Sequence, residues 1–325
     1  MDSYFSLSPF CLLAAWTRIS ACPLFVCLRI ALLVGVHNAG TMSMNDHIGR
    51  YATTDHLAVA IVRAQGTVAT IADQHQLRGT PRQLLGQSLV ASLLLATRLK
   101  GQGVLSLSLR NTGGFAHVRC DAIGMGQVRG MVTSSVREQL QSWNGVDPLL
   151  QGELQIEVSK QLSDEHQPYR SLVSLPTDSI PLAINGYLAH SEQIDACMMI
   201  DCRVNEDAVV EATGVYLERL PGAADEDPGI DHLHRHQQAL ADGHPMGLAG
   251  DRSDHGLLQR ILPGCELIHL KDYPARFFCP CSADRFREAL RGLAPADRAE
   301  LADNGIISTE CEFCRSVYHI PIDEL

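Results

Sequence analysis

The order of apolar and polar positions in the first two thirds of the chain predicts a domain of strands and helices. Apolar and β-branched runs predict strands at 57–64 and 67–72, joined by a tight turn. Thr80, as the N-cap, and Pro81 open a predicted helix with a broad leucine-rich face. Further strands are predicted at 104–109, 115–120, 127–132, 154–158, 169–175, 198–204 and 208–217, and a further helix at 179–193. We therefore expect an α+β fold in which a large antiparallel sheet packs against helices.

The pattern changes at residue 221. Residues 221–262 carry seven acidic residues against three arginines, together with five histidines and several Gly and Pro. A stretch this polar has too few apolar residues for a core of its own, so we interpret it as an acidic linker that ends in a short helix at 256–262. The linker also contains a cluster of three histidines, His232, His234 and His236. Histidine can bind metals, but clustered histidines in a polar linker are more often solvated, and we interpret these three as solvated.

Two closely spaced cysteine pairs mark the last part of the chain. Cys279 and Cys281 form a C-x-C pair, and Cys311 and Cys314 form a C-x-x-C pair after a spacer of 29 residues. Four thiolates at these spacings match the tetrahedral, all-cysteine geometry of a structural zinc site. A unit of about sixty residues buries too little surface to be comfortably stable without a bound metal or a disulfide cross-link. We therefore expect residues 263–325 to form a small zinc domain.

Local signals predict how this domain carries its cysteines. Ser282 is a good N-cap for a helix over 283–291, and Pro295 can start a second helix. Residues 306–309 and 317–320 are predicted to form a hairpin with the C-x-x-C pair in its turn. Two interpretations of the site stay open at this point. It is an inert zinc knot, or it is a switch, because metal-bound thiolates remain nucleophilic toward oxidants and loss of zinc removes folding energy.

Residues 1–43 differ from the rest of the chain. Only three Asp, Glu, Lys or Arg residues occur among the first 41 positions. A signal peptide is one interpretation, although arginines and a proline interrupt the apolar run. We favour a translation start placed too early, or a disordered extension, with the chain proper beginning at Met42 or Met44.

Composition and charge narrow the classes of function. A chain with 46% hydrophobic and 19% charged residues can bury a sizeable core. Its net charge of -11, from 37 acidic and 26 basic residues, repels phosphate backbones and argues against nucleic acid as a partner. No segment is apolar enough to span a membrane, and no phosphate-binding loop or hydrolase motif occurs. We expect a cytoplasmic protein that is not an enzyme.

The residues around the cysteines resemble a known family. Arg276-Phe-Phe-Cys-Pro-Cys-Ser282 and Glu310-Cys-Glu-Phe-Cys-Arg-Ser-Val-Tyr-His319 are similar to the zinc-binding redox switch of the heat-shock protein 33 family, the redox-regulated 33 kDa chaperonin. Tyr187-Leu-Ala-His-Ser-Glu-Gln193 resembles a helical segment of the same family, and 127–130 and 172–175 lie where its strands are expected. The resemblance extends over residues 44–325.

The resemblance implies a holdase chaperone that binds unfolded client proteins and uses no ATP. In the reduced, inactive form one Zn²⁺ would be held by Cys279, Cys281, Cys311 and Cys314. Peroxide or hypochlorous acid, together with unfolding stress, would join Cys279 to Cys281 and Cys311 to Cys314 as disulfides. Zinc would leave, the small domain would unfold, and the linker 221–262 would loosen. Apolar surface on the substrate-binding domain 44–220 and on the linker would then face clients, and the oxidised protein would be a homodimer.

Two other classes of function fit less well. A zinc-ribbon-like binding module for nucleic acid or a protein partner needs a basic surface, but acidic residues offset the arginines of the zinc domain. A thiol-disulfide oxidoreductase needs its C-x-x-C pair at a helix start, whereas this pair lies between predicted strands. Four further cysteines lie outside the motif. We interpret Cys120 and Cys202 as buried, inert thiols, and the roles of Cys197 and Cys265 stay open.

Overall fold

The computed structural model describes residues 46–99, 101, 103–111, 117–124, 126–132, 153–162, 167–205, 208–244 and 247–325. The expectations for residues 1–43 lie outside this range, as does the start of the strand predicted at 115–120. Among the described residues, no helix combines the length and the apolar character needed to cross a bilayer.

Strands and helices both occur throughout the described chain. The strands are β1 (His47–Thr53), β2 (Leu57–Arg63), β3 (Val104–Asn111), β4 (His117–Ile123), β5 (Gln127–Val132), β6 (Leu154–Gln161), β7 (Tyr169–Leu175), β8 (Ala196–Asn205), β9 (Ala208–Arg219), β10 (Leu267–Pro274), β11 (Arg276–Phe277), β12 (Ile306–Glu310) and β13 (Val317–Pro321). The helices are α1 (Gln65–Gln74), α2 (Gly79–Ala96), α3 (Ile180–Tyr187), α4 (Pro228–Ala241), α5 (Asp254–Ile261), α6 (Ala283–Arg291) and α7 (Pro295–Leu301). A π-helical turn, Leu188–Glu192, extends α3.

Within the described ranges these strands form two large sheets and one hairpin. The five-stranded sheet has the order β10-β1-β2-β9-β8 and is antiparallel throughout. The six-stranded sheet has the order β11-β5-β4-β3-β6-β7, and only β11 joins it in parallel. β12 and β13 pair with each other. The expected α+β fold of antiparallel sheet and helices is confirmed, and the sheet is divided into two.

Helix α2 is the centre of the main core. Nearly all of its side chains are buried, and it packs against strands of both large sheets. Such a helix has no polar face, so its two buried serines bond within the helix: Ser88 donates to Leu84 O at 2.7 Å and Ser92 to Ser88 O at 2.8 Å. Gly214 on β9 permits a close approach, since a Cβ there would lie 2.5 Å from Val90 Cγ1.

Residues 67–72, predicted as a strand, belong to helix α1. A short apolar run does not distinguish a buried strand from a buried helix face, and a distant residue decides the outcome. The Asp46 carboxylate accepts hydrogen bonds from Gly66 N at 3.3 Å and from Thr67 Oγ1 at 2.8 Å. It thereby satisfies the first turn of α1 from outside the helix.

Helix α2 begins slightly earlier than predicted. Gly79 is its first residue and Arg78 its N-cap, without a capping side chain, so the prediction of Thr80 as the cap was wrong. Strands β1, β10 and β11 had no counterpart among the predicted elements. Helices α3, α6 and α7 and strands β5 and β7 lie where the pattern placed them.

The acidic linker is more ordered than its composition implied. Helix α5 confirms the predicted short helix, while α4 was not predicted. Both pack on one face of the five-stranded sheet, in a second hydrophobic core with fully buried side chains from the linker that include Ile230, Leu233, Leu257 and Leu258. The apolar side chains of the linker are therefore buried against the sheet and do not form a separate core of their own.

A charged contact ties α5 to the same sheet. Arg63 Nε donates to Asp254 Oδ1 at 2.7 Å, and His47 Nε2 lies 2.6 Å from Asp254 Oδ2. Although burial opposes ionisation of this carboxyl, its hydrogen bonds to His47 and Arg63 hold the pKa of Asp254 below its ordinary value. Asp254 is consequently a carboxylate at neutral pH, and it fixes the start of α5.

The cap that Asp46 provides can be tested by Asp46→Ala. We expect the free energy of unfolding to fall by about 1–2 kcal/mol, because the first turn of α1 loses its acceptor. Urea denaturation followed by circular dichroism measures the change. Glu226→Ala, at an exposed position, is the matched control and should change the value by less than about 0.5 kcal/mol. Equal losses in the two variants would contradict the role given to Asp46.

Candidate metal centre

The C-x-C pair is held between a strand and a helix start. Strand β11 is fastened to the six-stranded sheet by Arg276 N, which donates to Gly126 O at 2.9 Å, and by Phe278 N, which donates to Val128 O at 3.0 Å. The two cysteines follow directly. Ser282 Oγ then accepts from Arg285 N at 3.3 Å and caps α6, as predicted. Anchors on both sides restrict where the two sulfurs can point.

The C-x-x-C pair occupies the turn between β12 and β13, again as predicted. Cys311 N donates to Ser316 O at 2.9 Å, and Arg315 N donates to Cys311 O at 2.8 Å. Arg315 has a φ of 60°, in the left-handed region, which reverses the chain within the turn. The turn places both sulfurs on the side that faces the C-x-C pair.

The four cysteine sulfurs converge. Their Sγ atoms all lie within 4.8 Å of one another, with 3.8 Å between Cys279 and Cys311 and 3.2 Å between Cys281 and Cys314. Sulfurs placed around a tetrahedral zinc ion at about 2.3 Å would be about 3.8 Å apart. Among the described residues, this is the one group of three or more His, Cys, Asp and Glu side chains arranged to hold a metal ion. The donor set fits a metal that prefers thiolates.

The thiols influence one another's ionisation. Burial raises the pKa of Cys281 to about 11. Hydrogen bonds from Cys279 and Cys311 lower the pKa of Cys314, while the corresponding bonds to Cys279 and Cys314 raise that of Cys311. The opposite shifts of Cys311 and Cys314 follow from their proximity, because ionisation of one thiol disfavours ionisation of its neighbour.

The cysteines also make up much of the interior of their unit. Cys311, Cys314, Tyr318 and Ile320 form its buried hydrophobic cluster, with Phe286 packed against Tyr318 at a centroid distance of 5.0 Å. Helices α6 and α7 contribute no buried residue. A core this small stabilises little by itself, so the fold of the unit depends on what joins the sulfurs.

The turn of the C-x-x-C pair lies against the six-stranded sheet. The guanidinium carbon of Arg129 lies 3.9 Å from the centroid of the Phe313 ring, and Arg129 Nη1 donates to Cys279 Sγ at 3.6 Å. His75 Nε2 lies 2.9 Å from Phe313 O. Sequence reasoning did not single out these three residues, and no local signal connects Arg129 with a cysteine 150 positions later.

The remaining described cysteines lie apart from this site and are buried. Burial raises the pKa of Cys197, Cys202 and Cys265 to about 12 and that of Cys120 even further. Such thiols are protonated at neutral pH and react slowly, which agrees with the inert role expected for Cys120 and Cys202. Cys265 belongs to the core under the linker helices.

The linker histidines do not converge on a metal site. His232 is buried, with its Nε2 3.0 Å from Pro263 O, and His236 Nε2 lies 2.9 Å from Ile261 O. His234 is exposed and contacts Asp195. The solvated interpretation thus holds for His234. It was wrong for His232, whose buried ring contacts Pro263 O just after α5, and it holds only in part for His236, which is half-buried and joins α4 to α5 through Ile261 O.

Comparison with known proteins places the chain among chaperonins. The family model described as Hsp33 protein matches residues 46–321. A 33 kDa chaperonin of Synechococcus sp. is 31% identical over 313 residues, which cover 91% of this chain and 94% of the relative. A 33 kDa chaperonin of Limosilactobacillus fermentum is 29% identical over 273 residues, with 81% and 92% covered.

A solved structure shares the fold. The crystal structure of the 33 kDa chaperonin (heat-shock protein 33 homolog) from Thermotoga maritima superposes with a TM-score of 0.72 at 19% sequence identity, over 86% of this chain and 96% of that chain. The family model spans both large sheets, the linker helices and all four converging cysteines. On this match the chain belongs to the heat-shock protein 33 family.

Proposed function

We propose that the protein is a redox-regulated holdase chaperone that keeps unfolding proteins from aggregating under oxidative and heat stress, without ATP. The observation that carries the proposal is the convergence of four cysteine sulfurs in a unit whose small core they largely form. A change in the oxidation state of those sulfurs changes whether the unit can stay folded. The relatives named above are chaperonins, which supports a role in binding unfolded proteins.

In the reduced, inactive form, one Zn²⁺ would be held by four thiolates, those of Cys279, Cys281, Cys311 and Cys314. Zinc suits an all-sulfur tetrahedral donor set, whereas calcium and magnesium require oxygen ligands. When bound, it would offset two of the four thiolate charges and hold the sulfurs in a fixed arrangement. The chain itself contributes two anchored arms and two buried sulfurs, which limits access of water and competing ligands.

In the oxidised, active form we propose disulfides between Cys279 and Cys281 and between Cys311 and Cys314. A sulfur–sulfur bond forms as each pair of thiolates loses two electrons to the oxygen–oxygen bond of a hydroperoxide. That bond breaks, and two protons from solvent complete water and an alcohol, or two waters from hydrogen peroxide. The short contacts in the reduced structure run between the arms, from Cys279 to Cys311 and from Cys281 to Cys314. The two sulfurs of each arm nevertheless lie within 4.8 Å of each other, so each disulfide can form once its own pair draws together.

We propose three functional parts: a substrate-binding domain at 44–220, a redox-sensitive linker at 221–262 and a zinc domain at 263–325. Strand β10, within the last part, pairs with β1 along its length and is the next element after the linker helices. Unfolding that spreads from the cysteines through β11 and β10 would therefore reach α5. Loss of that support would release the linker.

The surface beneath the linker helices supports a client-binding role. Three neighbouring strands, β2, β9 and β8, place fully or almost fully buried apolar side chains there: Leu57, Val59, Ile61, Met199, Val215 and Leu217. Removing α4 and α5 would expose these side chains as one apolar patch, the kind of surface that binds non-native protein. Because burial of apolar area has no direction, such a patch would accept many clients.

The proposal includes where the protein acts and with what. The reducing cytoplasm would keep the cysteines as thiols at rest. Exposed apolar surface in the oxidised protein would favour a homodimer, alongside unfolded clients. We propose no catalytic residue, and neither nucleic acid nor membrane as a partner.

The central prediction concerns three quantities measured in one sample. When reduced, zinc-loaded protein meets hydrogen peroxide at elevated temperature, zinc release, loss of four thiols and protection of an unfolded client should rise together. A zinc-binding dye, a thiol reagent and light scattering of the client follow them. Zinc that stays bound while clients aggregate would identify the site as a structural knot and favour a binding-module function.

The ligand assignment predicts the behaviour of Cys279→Ser and Cys311→Ser. A serine hydroxyl is a poor zinc ligand, so both variants should lose most of the bound zinc and protect clients even when reduced. Zinc content by atomic spectroscopy and client aggregation measure this. Cys265→Ser carries the same change outside the site and should keep full zinc content. Unchanged zinc in either ligand variant would count against the assignment.

The linker's role is tested by Leu258→Ala, which removes a fully buried side chain from α5. The lost packing, about 2–5 kcal/mol, should loosen the linker and give client protection without oxidant while zinc stays bound. Leu301→Ala, at a position that is 55% exposed on α7, is the matched control and should behave like the wild type. A reduced Leu258→Ala variant that is destabilised as expected and still fails to protect clients would argue that clients bind elsewhere.

A further inference from the structure

One arginine of the six-stranded sheet contacts both arms of the cysteine site. Arg129 lies on β5, with Nη1 3.6 Å from Cys279 Sγ and its guanidinium carbon 3.9 Å from the centroid of the Phe313 ring. Cys279 belongs to the C-x-C arm, and Phe313 is the residue between Glu312 and Cys314 in the C-x-x-C arm. A single side chain of the six-stranded sheet therefore contacts both arms of the cysteine site.

The sheet holds this guanidinium in a defined place. Asp121 lies opposite Arg129 in the β4–β5 register and accepts from Arg129 Nε at 2.9 Å and from Nη2 at 2.7 Å. Asp121 is buried and also accepts from Ser106 Oγ at 2.6 Å. The two-pronged pairing leaves Nη1 and the flat face of the guanidinium for the cysteine unit.

Both outward contacts depend on the state of the site. A guanidinium hydrogen bond to sulfur is strong when the sulfur is a thiolate, because charge assists it, and weak when the sulfur is part of a neutral disulfide. The stacking on Phe313 requires the turn of the C-x-x-C arm to keep its shape. Oxidation of Cys279 removes the negative charge, and opening of the turn removes the ring.

We propose that Arg129 is the positioning residue that docks the cysteine unit on the six-stranded sheet while Cys279 is reduced, and that releases it once Cys279 enters a disulfide. This inference rests on the proposed redox function and adds the contact by which oxidation reaches the sheet. The electrons lost by Cys279 and its partner sulfur go to a hydroperoxide, as balanced above, and Arg129 itself is chemically unchanged.

Hydrogen–deuterium exchange of reduced, zinc-loaded full-length protein tests the contact. In Arg129→Met, segments 276–282 and 311–317 should exchange about tenfold faster than in the wild type, since a charge-assisted hydrogen bond and a cation–π contact are lost together. Zinc content should stay at one per chain. After oxidation by hydrogen peroxide, the wild type and Arg129→Met should exchange alike, because the contact is already broken in both.

Three further variants separate docking from simple stability of the sheet. Phe313→Leu keeps the pair of Arg129 and Asp121, so it should fold normally and speed exchange in the same segments. Arg129→Lys keeps the charge beside Cys279 but not the flat guanidinium, and should fall between the wild type and Arg129→Met. Arg170→Met is the control, because Arg170 is an exposed arginine on β7, at the opposite edge of the same sheet from β11, and it should stay within about twofold of the wild type.

Three results would overturn the inference: wild-type exchange in both Arg129→Met and Phe313→Leu, a difference between wild type and Arg129→Met that survives oxidation, or faster exchange confined to β4 and β5. The proposed function is judged separately in the same samples. If oxidised wild-type protein fails to protect a client, the chaperone proposal falls, while the exchange of the reduced variants still decides whether Arg129 docks the unit.

Discussion

The convergence of four cysteine sulfurs within 4.8 Å is the interaction on which the C-terminal unit depends. Four thiolates at that distance repel one another, so the arrangement needs protons or a cation between the sulfurs. The surrounding unit adds few other buried contacts, because its two helices bury no side chain and two of the four residues in its buried cluster are cysteines. The stability of this unit therefore depends on what joins the sulfurs.

The rest of the chain is built so that this local dependence matters elsewhere. The linker helices have no core apart from the sheet face they cover, and Asp254 ties the start of α5 to β1 and β2. Strand β10 follows α5 after a short connection and leads into the cysteine unit through β11. The main core around α2 is a hydrophobic cluster separate from the one under the linker helices. In the proposed mechanism this main core stays folded while the linker and the cysteine unit unfold.

Much of this could be predicted from local sequence. Ser282 and the residues after it carry their own capping and helical signals, and β12 and β13 alternate around a turn that the cysteines themselves mark. The α1 segment could not be predicted in that way, because Thr67 and its neighbours are compatible with a strand or a helix until Asp46 supplies the missing acceptor. Likewise, the local sequence does not predict burial of His232, which is polar and lies in an acidic stretch. Its buried ring is satisfied by a hydrogen bond with Pro263 O, 31 positions away.

By itself, the sequence determined which four cysteines are candidates for one site, since cysteine chemistry and spacing are local properties of the chain. It also determined the antiparallel pattern of the large domain and the presence of a distinct acidic segment before the cysteines. Only the tertiary structure decided which surfaces meet: α4 and α5 on the five-stranded sheet, and Arg129 on Cys279 and Phe313. The physical reason is range. Periodicity and capping report on neighbours a few residues apart, whereas these contacts join positions from tens of residues to 191 residues apart, and their partners are selected by packing and charge in three dimensions.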